Sequence, residues 1–239
     1  MIIDGKAVAE QIVAGLGDSL RGKTLGMIVA PGDAATESFV KIKERVAERL
    51  GVRVMRADNL AELAGCDGVL VQLPHPDAGI LMPQIPPHKD VDALGLHPEV
   101  LAPVAAAVKH ILDTHEAKPR GEKAVVVGEG KLVGKPVAQM LREEGYEVQV
   151  VSLEQGSLEA LKDADVVVSG AGSPHLIKPA MLKPGVVLID AGTSEQAGKV
   201  VGDADPACAE IASVFTPVPG GIGPIAVAML FKNLFTLTN

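Results

Sequence analysis

Four short apolar runs in the second half of the chain constrain its fold more than any other feature: Lys123 to Gly128, Glu147 to Val151, Asp165 to Ser169 and Val186 to Asp190. Each is a short apolar run rich in valine. Such runs suit strands buried on both faces. The segments between them are of helical or loop composition and long enough to cross over between parallel neighbours. Ser213 to Thr216 has the composition of a fifth strand. The pattern predicts a Rossmann-like parallel sheet, whose ligands bind where strand ends meet helix starts.

The first half alternates in the same way. Ala9, Ile12, Val13 and Leu16 recur at helical spacing over Gly5 to Leu16, with Asp4 placed to cap the start. Thr24 to Val29 reads as a buried strand ended by Pro31-Gly-Asp, and Glu37 to Leu50 as a helix stopped by Gly51. Val52 to Met55 is predicted as a second strand, Leu60 to Ala64 as a short helix, and Gly68 to Leu73 as a third strand before Pro74. Prolines and histidines make Pro74 to Pro98 an irregular stretch. Leu101 to His115 reads as a helix, Lys118-Pro-Arg-Gly-Glu as a polar hinge, and Ile225 to Leu237 as an apolar helix. At 239 residues the chain is long enough for two domains. The predicted division is residues 1–116, joined by the helix over 225–239, and residues 117–224. With aromatics at only 2%, the cores must be aliphatic.

Charge and composition narrow the partners. A net charge of -8 without a basic cluster argues against a nucleic-acid backbone. No apolar run reaches the roughly 18 to 20 residues that span a bilayer, so no membrane association is expected. Met1-Ile-Ile-Asp-Gly lacks the layout of a signal peptide, which points to a cytoplasmic protein. Cys66 and Cys208 have no metal spacing and are expected to be buried thiols. The six histidines offer no paired spacing on one helix face, so no metal is expected. Small molecules remain as ligands.

Gly128-x-Gly130-x-x-x-Gly134 follows a predicted strand and opens a predicted helix. There, exposed backbone N–H groups and the positive helix end favour a pyrophosphate. The spacing is a variant of the dinucleotide fingerprint, and a plain tight turn is the alternative. A carboxylate near the end of the following strand bonds a ribose 2'-hydroxyl and repels a 2'-phosphate. Glu154 is placed for this, with a solvated loop glutamate as the alternative.

Three unusual segments then stand in order: Lys89-Asp-Val-Asp92 followed by Leu96-His-Pro98, Gly128 to Pro136, and Thr216-Pro-Val-Pro-Gly-Gly-Ile-Gly-Pro224. Together they resemble the bifunctional methylenetetrahydrofolate dehydrogenase/cyclohydrolase family, and the likeness covers nearly the whole chain. It begins at Asp4-Gly5-Lys6 and continues through Ser38-Phe-Val-x-x-Lys43, where Lys43 takes the position of the family's catalytic lysine. Gly68 to Pro74 resembles the strand whose glutamine, here Gln72, stands beside that lysine. Asp92 takes the place of the aspartate that holds the pterin. The resemblance implies substrate contacts at Phe39, Lys43, Gln72, Leu73, Pro74, Asp92, Pro219, Gly220 and Gly221. It implies cofactor contacts at Gly128, Glu129, Gly130, Val133, Gly134, Pro136, Glu154, Gly172, Thr193 and Gly223. The implied architecture is two α/β domains flanking a cleft, the second Rossmann-like, with the C-terminal helix returning to the first. A homodimer is also implied. The implied reaction moves hydride from methylenetetrahydrofolate to a nicotinamide, giving methenyltetrahydrofolate, which water opens to 10-formyltetrahydrofolate.

The chemistry suits these residues. Hydride departure leaves a cationic amidinium, so orientation matters more than acid catalysis, while hydrolysis needs proton transfer at the attacked carbon. A lysine whose ammonium is disfavoured by burial serves as base or donor, and a glutamine orients it without adding charge. Several positions depart from the family. Its tyrosine is Phe39, which keeps the ring and loses the hydroxyl, so weaker cyclohydrolase activity is expected. Its Pro-Cys-Thr-Pro segment is replaced over Leu101 to Val108, and Val52 to Gly68 is shortened. In the cofactor loop its arginine and serine are Glu129 and Gly130, its His-Ser pair is Ser152-Leu153, and a threonine is Ala226. Loss of a guanidinium and gain of a carboxylate predict NAD in preference to NADP. Two other readings stay open: a folate-binding protein that has lost catalysis, and an oxidoreductase of the same shape acting on another small molecule. Turnover of the folate, and binding of other reduced pterins, discriminate them.

Overall fold

The structure, a computed structural model, describes residues 1–32, 34–115, 122–153 and 157–239. In chain order its elements begin α1 (Gly5–Leu16), β1 (Thr24–Val29), α2 (Ala34–Arg49), β2 (Arg53–Ala57), β3 (Gly68–Gln72) and α3 (Ala78–Leu81). There follow α4 (Pro103–Thr114), β4 (Lys123–Val127), α5 (Gly134–Glu143), β5 (Glu147–Val151), β6 (Val166–Ser169) and β7 (Val187–Asp190). The last are β8 (Ser194–Gln196), β9 (Lys199–Val201), β10 (Val214–Thr216) and α6 (Ile222–Thr238). The chain divides into two compact units, Ala9–Pro103 with Val227–Asn239, and Met1–Val8 with Val104–Ala226. The predicted boundary at 116/117 and the polar segment from Lys118 lie outside the described residues, apart from Glu122.

In the first of these units β1 pairs in parallel with β2 on one side and β3 on the other. Successive strand residues face opposite ways. Leu25, Met27 and Leu70 therefore meet Val13 and Leu16 of α1, Val40 and Ala47 of α2, and Phe231 and Leu234 of α6. Phe231 and Leu234 are fully buried, each contributing roughly 2 to 3 kcal/mol through removal of apolar surface from water. The C-terminal helix thus packs on this core. Asn233 of α6 fixes the end of the irregular stretch, donating from Nδ2 to the carbonyls of Val91 (2.9 Å) within it and Leu101 (2.8 Å) just past it. On the opposite face Ile28, Val69 and Val71 meet Leu63, Cys66, Ala78, Met82 and Ile85.

The helix expected over Leu60 to Ala64 is not formed. Leu63, Ala64 and Cys66 donate their N–H groups to the carbonyls three residues earlier, which makes a run of tight turns. Asn59 accepts from the Glu62 N–H (3.2 Å), the bond of a helix cap, but the turns that follow do not extend into a helix. The turns place Leu63 and Cys66 over the sheet. Cys66 and Cys208 are buried free thiols, both pushed up by burial, Cys208 to about 11.

The second unit holds five parallel strands in the order β10-β7-β6-β4-β5. Counted along this unit, the order is that of a doubly wound sheet, with its reversal between β4 and β6. The central strands are buried almost throughout, which explains their unbroken valine content. Helix α4 belongs with this sheet, where Lys109 Nζ pairs with Glu144 (2.9 Å) just past α5. The hairpin β8–β9, which the sequence reading passed over, turns at Ala197 and Gly198, both with positive φ as a two-residue hairpin requires.

The amino terminus joins the edge of this sheet, with Ile3 N–H donating to Phe215 O and Phe215 N–H to Met1 O, each at 2.9 Å. Asp4 then caps α1, its Oδ1 accepting from the N–H groups of Lys6 and Ala7 at 3.1 Å, as the sequence predicts. Gly5 N–H donates to Gly220 O (2.9 Å), and a Cβ at position 5 would lie 1.8 Å from Gly221 O. Only glycine permits that approach, so Asp4-Gly5 at one end of the chain seats the Pro-Gly-Gly loop near the other. Gly5→Ala must displace that loop, and we expect it to lower stability by about 2 to 3 kcal/mol. A urea titration checks this, as a lower midpoint with an unchanged slope.

Candidate functional site

Helix α2 carries Phe39 and Lys43 one turn apart on the same face. Lys43 Nζ donates to Gln72 Oε1 at 2.7 Å, and Gln72 Nε2 donates to the Leu73 carbonyl at 2.8 Å. The second bond fixes which end of the amide faces the lysine. Gln72 is the last residue of β3 and buried, so the fully buried strand aims it and α2 brings the lysine to it. The peptide bond from Leu73 to Pro74 is cis. Phe39 is about half exposed, which leaves its ring face open to a flat ligand.

Asp92 follows Asp90 and Val91, which lie along β3 through a parallel bridge between Val69 and Asp90. Burial pushes the Asp92 carboxyl up, and the Lys43 charge pulls it down. Asp90 is fully buried and closes the turn by accepting from the Gly95 N–H (2.6 Å). Between them lies a turn with Ala93 at φ 54, a strained conformation for a residue with a side chain. A lysine, a neutral amide and a carboxylate are thus brought together in one unit by α2, β3 and the turn after Asp90. They can donate to, accept from and exchange protons with a polar heterocycle.

In the other unit the glycine-rich loop joins β4 to α5 at the reversal of strand order. Gly128 has φ 101, and a Cβ at Gly134 would lie 2.0 Å from Gly128 O, so the helix start folds back tightly on the strand end. Lys135 N–H donates to Gly130 O (3.1 Å), which closes the loop. No side chain caps α5, Gly130 has open space around it, and Pro136 sits in the first turn where a missing N–H costs least. A loop of this shape fits the diphosphate of a dinucleotide. Glu129 is exposed, Val133 half-buried and Gly134 buried. Gly172 follows β6 with φ 65, and Thr193 follows β7 and is exposed. Gly223 is exposed in the first turn of α6. Pro219, Gly220 and Gly221 form the loop from β10 to α6, with a cis bond before Pro219 and Gly221 N–H donating to Pro217 O (2.7 Å). Glu154 lies outside the described residues. Among the described residues no group of three or more His, Cys, Asp or Glu is placed to hold a metal ion.

The sequence reading missed two buried carboxylates, Asp190 and Asp203. Asp190 ends β7, and its carboxylate accepts from the N–H groups of Gly192 (2.9 Å), Asp203 (3.2 Å) and Ala204 (2.8 Å). Its signal in the sequence was an acid closing an apolar run, which also fits a solvated strand end.

A doubly wound parallel sheet with a glycine loop at its strand-order reversal defines a dinucleotide-binding protein, here joined to a unit bearing a Lys-Gln pair near an aspartate. The family model described as "Tetrahydrofolate dehydrogenase/cyclohydrolase, NAD(P)-binding domain" matches residues 102–239. The bifunctional protein FolD of Lacticaseibacillus paracasei is 34% identical over 272 aligned positions, covering 98% of this chain and 96% of that protein. The crystal structure of the bifunctional FolD methylenetetrahydrofolate dehydrogenase/cyclohydrolase of Campylobacter jejuni matches with a TM-score of 0.92 and 28% identity, over 100% of this chain and 98% of that one. The Trypanosoma brucei dehydrogenase-cyclohydrolase, solved with NADP and an inhibitor, matches with a TM-score of 0.90 and 29% identity, over 100% and 97%. This chain belongs to the tetrahydrofolate dehydrogenase/cyclohydrolase family.

Burial raises the Asp190 carboxyl to about 6, against the pull of its N–H donors and with a further push from Asp203. The folded state therefore binds a proton more tightly than the unfolded chain, where a carboxyl titrates near 4. Stability from this group is present at low pH and is lost as pH rises through about 6. We expect the stability difference between the wild type and Asp190→Asn to move by about 2 kcal/mol against the wild type from pH 4.5 to pH 7. Denaturant titrations at the two pH values measure it, and the subtraction removes the other carboxylates.

Proposed function

We infer that the protein oxidises methylenetetrahydrofolate to methenyltetrahydrofolate by hydride transfer to a nicotinamide dinucleotide, and hydrolyses the product to 10-formyltetrahydrofolate. The observation that carries this reading is the 2.7 Å bond from Lys43 Nζ to Gln72 Oε1, beside Asp92, in a chain of this family. When bound, the dinucleotide supplies the hydride acceptor. The chain's own residues bind, orient and move protons. The Asp92 carboxylate accepts hydrogen bonds from pterin N–H groups, and Phe39 offers a ring face for stacking. Loss of hydride leaves a cation shared over two nitrogens, and water adds at the carbon between them. One C–N bond then breaks, so a proton must leave the water and one must reach the departing nitrogen. Lys43, held by a neutral partner, is the group that relays it.

Gln72 matters because it is uncharged. A carboxylate in its place would hold Lys43 as a fixed ion pair and oppose the relay. Phe39 cannot donate as a phenol would, so hydrolysis is the weaker of the two activities. Leu73, Pro74, Pro219, Gly220 and Gly221 are read as further substrate contacts. Gly128, Gly130, Val133, Gly134, Pro136, Gly172, Thr193 and Gly223 are read as cofactor contacts.

NAD is the preferred acceptor. Glu129 is exposed on the cofactor loop, and Ser152 and Leu153 follow β5, so these positions supply no guanidinium for a 2'-phosphate. Lys131 and Lys135 are exposed at the start of α5 and serve the diphosphate. No helix among the described residues is long and apolar enough to cross a membrane. A cytoplasmic homodimer completes the reading, on the strength of the family.

Methenyltetrahydrofolate absorbance, followed from methylenetetrahydrofolate with NAD and NADP separately, tests the proposal. Turnover is expected with NAD, and Lys43→Ala is expected to lower hydrolysis of the methenyl product about a hundredfold or more, so that its absorbance accumulates, while the protein still binds folate. A folded protein that binds folate and turns over with neither nucleotide supports the non-catalytic reading. The cofactor claim has its own test in Glu129→Arg, which removes repulsion and adds a phosphate partner. We expect it to raise the ratio of kcat/KM for NADP over NAD by about tenfold or more. An unchanged ratio removes Glu129 from the account.

A further inference from the structure

Strands β4, β6 and β7 end at one level, with Val127 opposite Ser169 and Ser169 opposite Asp190. The loops that leave β6 and β7 from this level contain Gly172 and Thr193. Neither loop is held by its own residues alone. Asp203, just after β9, is fully buried, and its Oδ2 accepts from Ser169 Oγ (2.6 Å) and Ala171 N–H (2.7 Å). Its Oδ1 accepts from Ser173 N–H (2.7 Å). Asp203 in turn is held through its own N–H by Asp190, which also takes the Gly192 N–H from the loop after β7. One carboxylate thus fixes the first loop on both sides of Gly172, and the other joins it to the second loop beside Thr193.

The fit leaves no slack. A Cβ at Gly192 would lie 2.2 Å from the Asp203 carboxyl carbon, and a Cβ at Gly202 would lie 2.0 Å from Asp190 Oδ2. Among the described residues no cation bonds to either carboxylate; backbone N–H groups and one hydroxyl hold them. Burying two such groups without a countercharge is an expensive way to stabilise a fold. It is an effective way to set backbone positions, because each oxygen has its donors assigned.

We propose that Asp203, backed by Asp190, is a positioning residue for the dinucleotide, holding the loops after β6 and β7 in the shape that receives it. The proposal rests on the reading of this unit as dinucleotide-binding. Asparagine at 203 supplies one acceptor oxygen where the carboxylate supplies two. One of the N–H groups of Ala171 and Ser173 is then left facing an amide NH2, and the loop around Gly172 loses an anchor. Ser169→Ala is a milder change that keeps Asp203 and removes only the hydroxyl that orients it.

Calorimetric titration of the full chain with NADH, alongside KM for methylenetetrahydrofolate and thermal unfolding, tests the proposal. Asp203→Asn is expected to weaken NADH binding about tenfold, and Ser169→Ala several-fold, with the folate KM within about twofold of the wild type. Wild-type NADH affinity in both variants overturns it. Equal losses in NADH binding and in folate KM also overturn it, since they make Asp203 a residue of the fold. If Asp203→Asn does not fold, Ser169→Ala decides alone. If the wild type binds neither NADH nor NADPH, the dinucleotide reading itself fails and the proposal falls with it.

Discussion

Parallel strands all leave the sheet on one edge, and the register of this sheet brings several of their ends level. Val127 lies opposite both Val151 and Ser169, and Ser169 lies opposite Asp190. Everything that gives the second unit chemical character follows within a few residues of that line. The glycine loop leaves from Val127, the loop with Gly172 from Ser169, and the loop with Thr193 from Asp190. A slip of one residue in β4 or β6 would separate these loops, so the register of the sheet and the placement of the site are one constraint. The amino terminus depends on it too, since Met1 and Ile3 bond to Phe215 and so bring Gly5 against the loop before α6.

The two units manage charge differently. Around Lys43 the partner is a neutral amide, and Asp92 feels both burial and the lysine. That leaves the lysine oriented but not locked into an ion pair. At the strand ends of the second unit, carboxylates are locked completely, with N–H or hydroxyl donors on both oxygens of each. Ionisable groups in the two units thus have opposite surroundings, a neutral amide for the lysine and a full set of donors for the carboxylates.

Much of this was legible in the sequence. The apolar runs located the strands, because a strand buried on both faces must be apolar throughout, and the glycines marked where helix start meets strand end. Lys43, Gln72 and Asp92 were legible through the resemblance and not from spacing, since a helix lysine and two turn aspartates are ordinarily solvated. The helix expected over Leu60 to Ala64 failed because a five-residue stretch follows its local turn chemistry, with N–H groups bonded to carbonyls three residues earlier. Asp190 and Asp203 were illegible for a different reason. Their donors come from Ser169, Ala171, Ser173, Gly192 and Ala204, which only the folded sheet assembles. Helix α4 was read correctly as a helix, and its attachment to the second sheet depends on tertiary contacts such as Lys109 with Glu144.

These differences in burial bear on how the departures from the family should be weighed. Glu129 is exposed, and charges at such positions interact through water, each contact worth about 1 kcal/mol or less. Changing one shifts the choice between two closely related cofactors without disturbing the loop that holds either. Phe39 likewise changes an edge contact and keeps the ring. The buried interactions are of another magnitude, because an N–H left facing no acceptor costs about 1 to 3 kcal/mol each, and the carboxylates at 190 and 203 serve six donors between them. Asp190 also carries a cost in stability at neutral pH that an uncharged residue would avoid. A chain that had drifted into a passive binding role would have no physical need for that cost. Exposed positions on the cofactor loop differ from the family's pattern, while the buried carboxylates at 190 and 203 have every oxygen bonded.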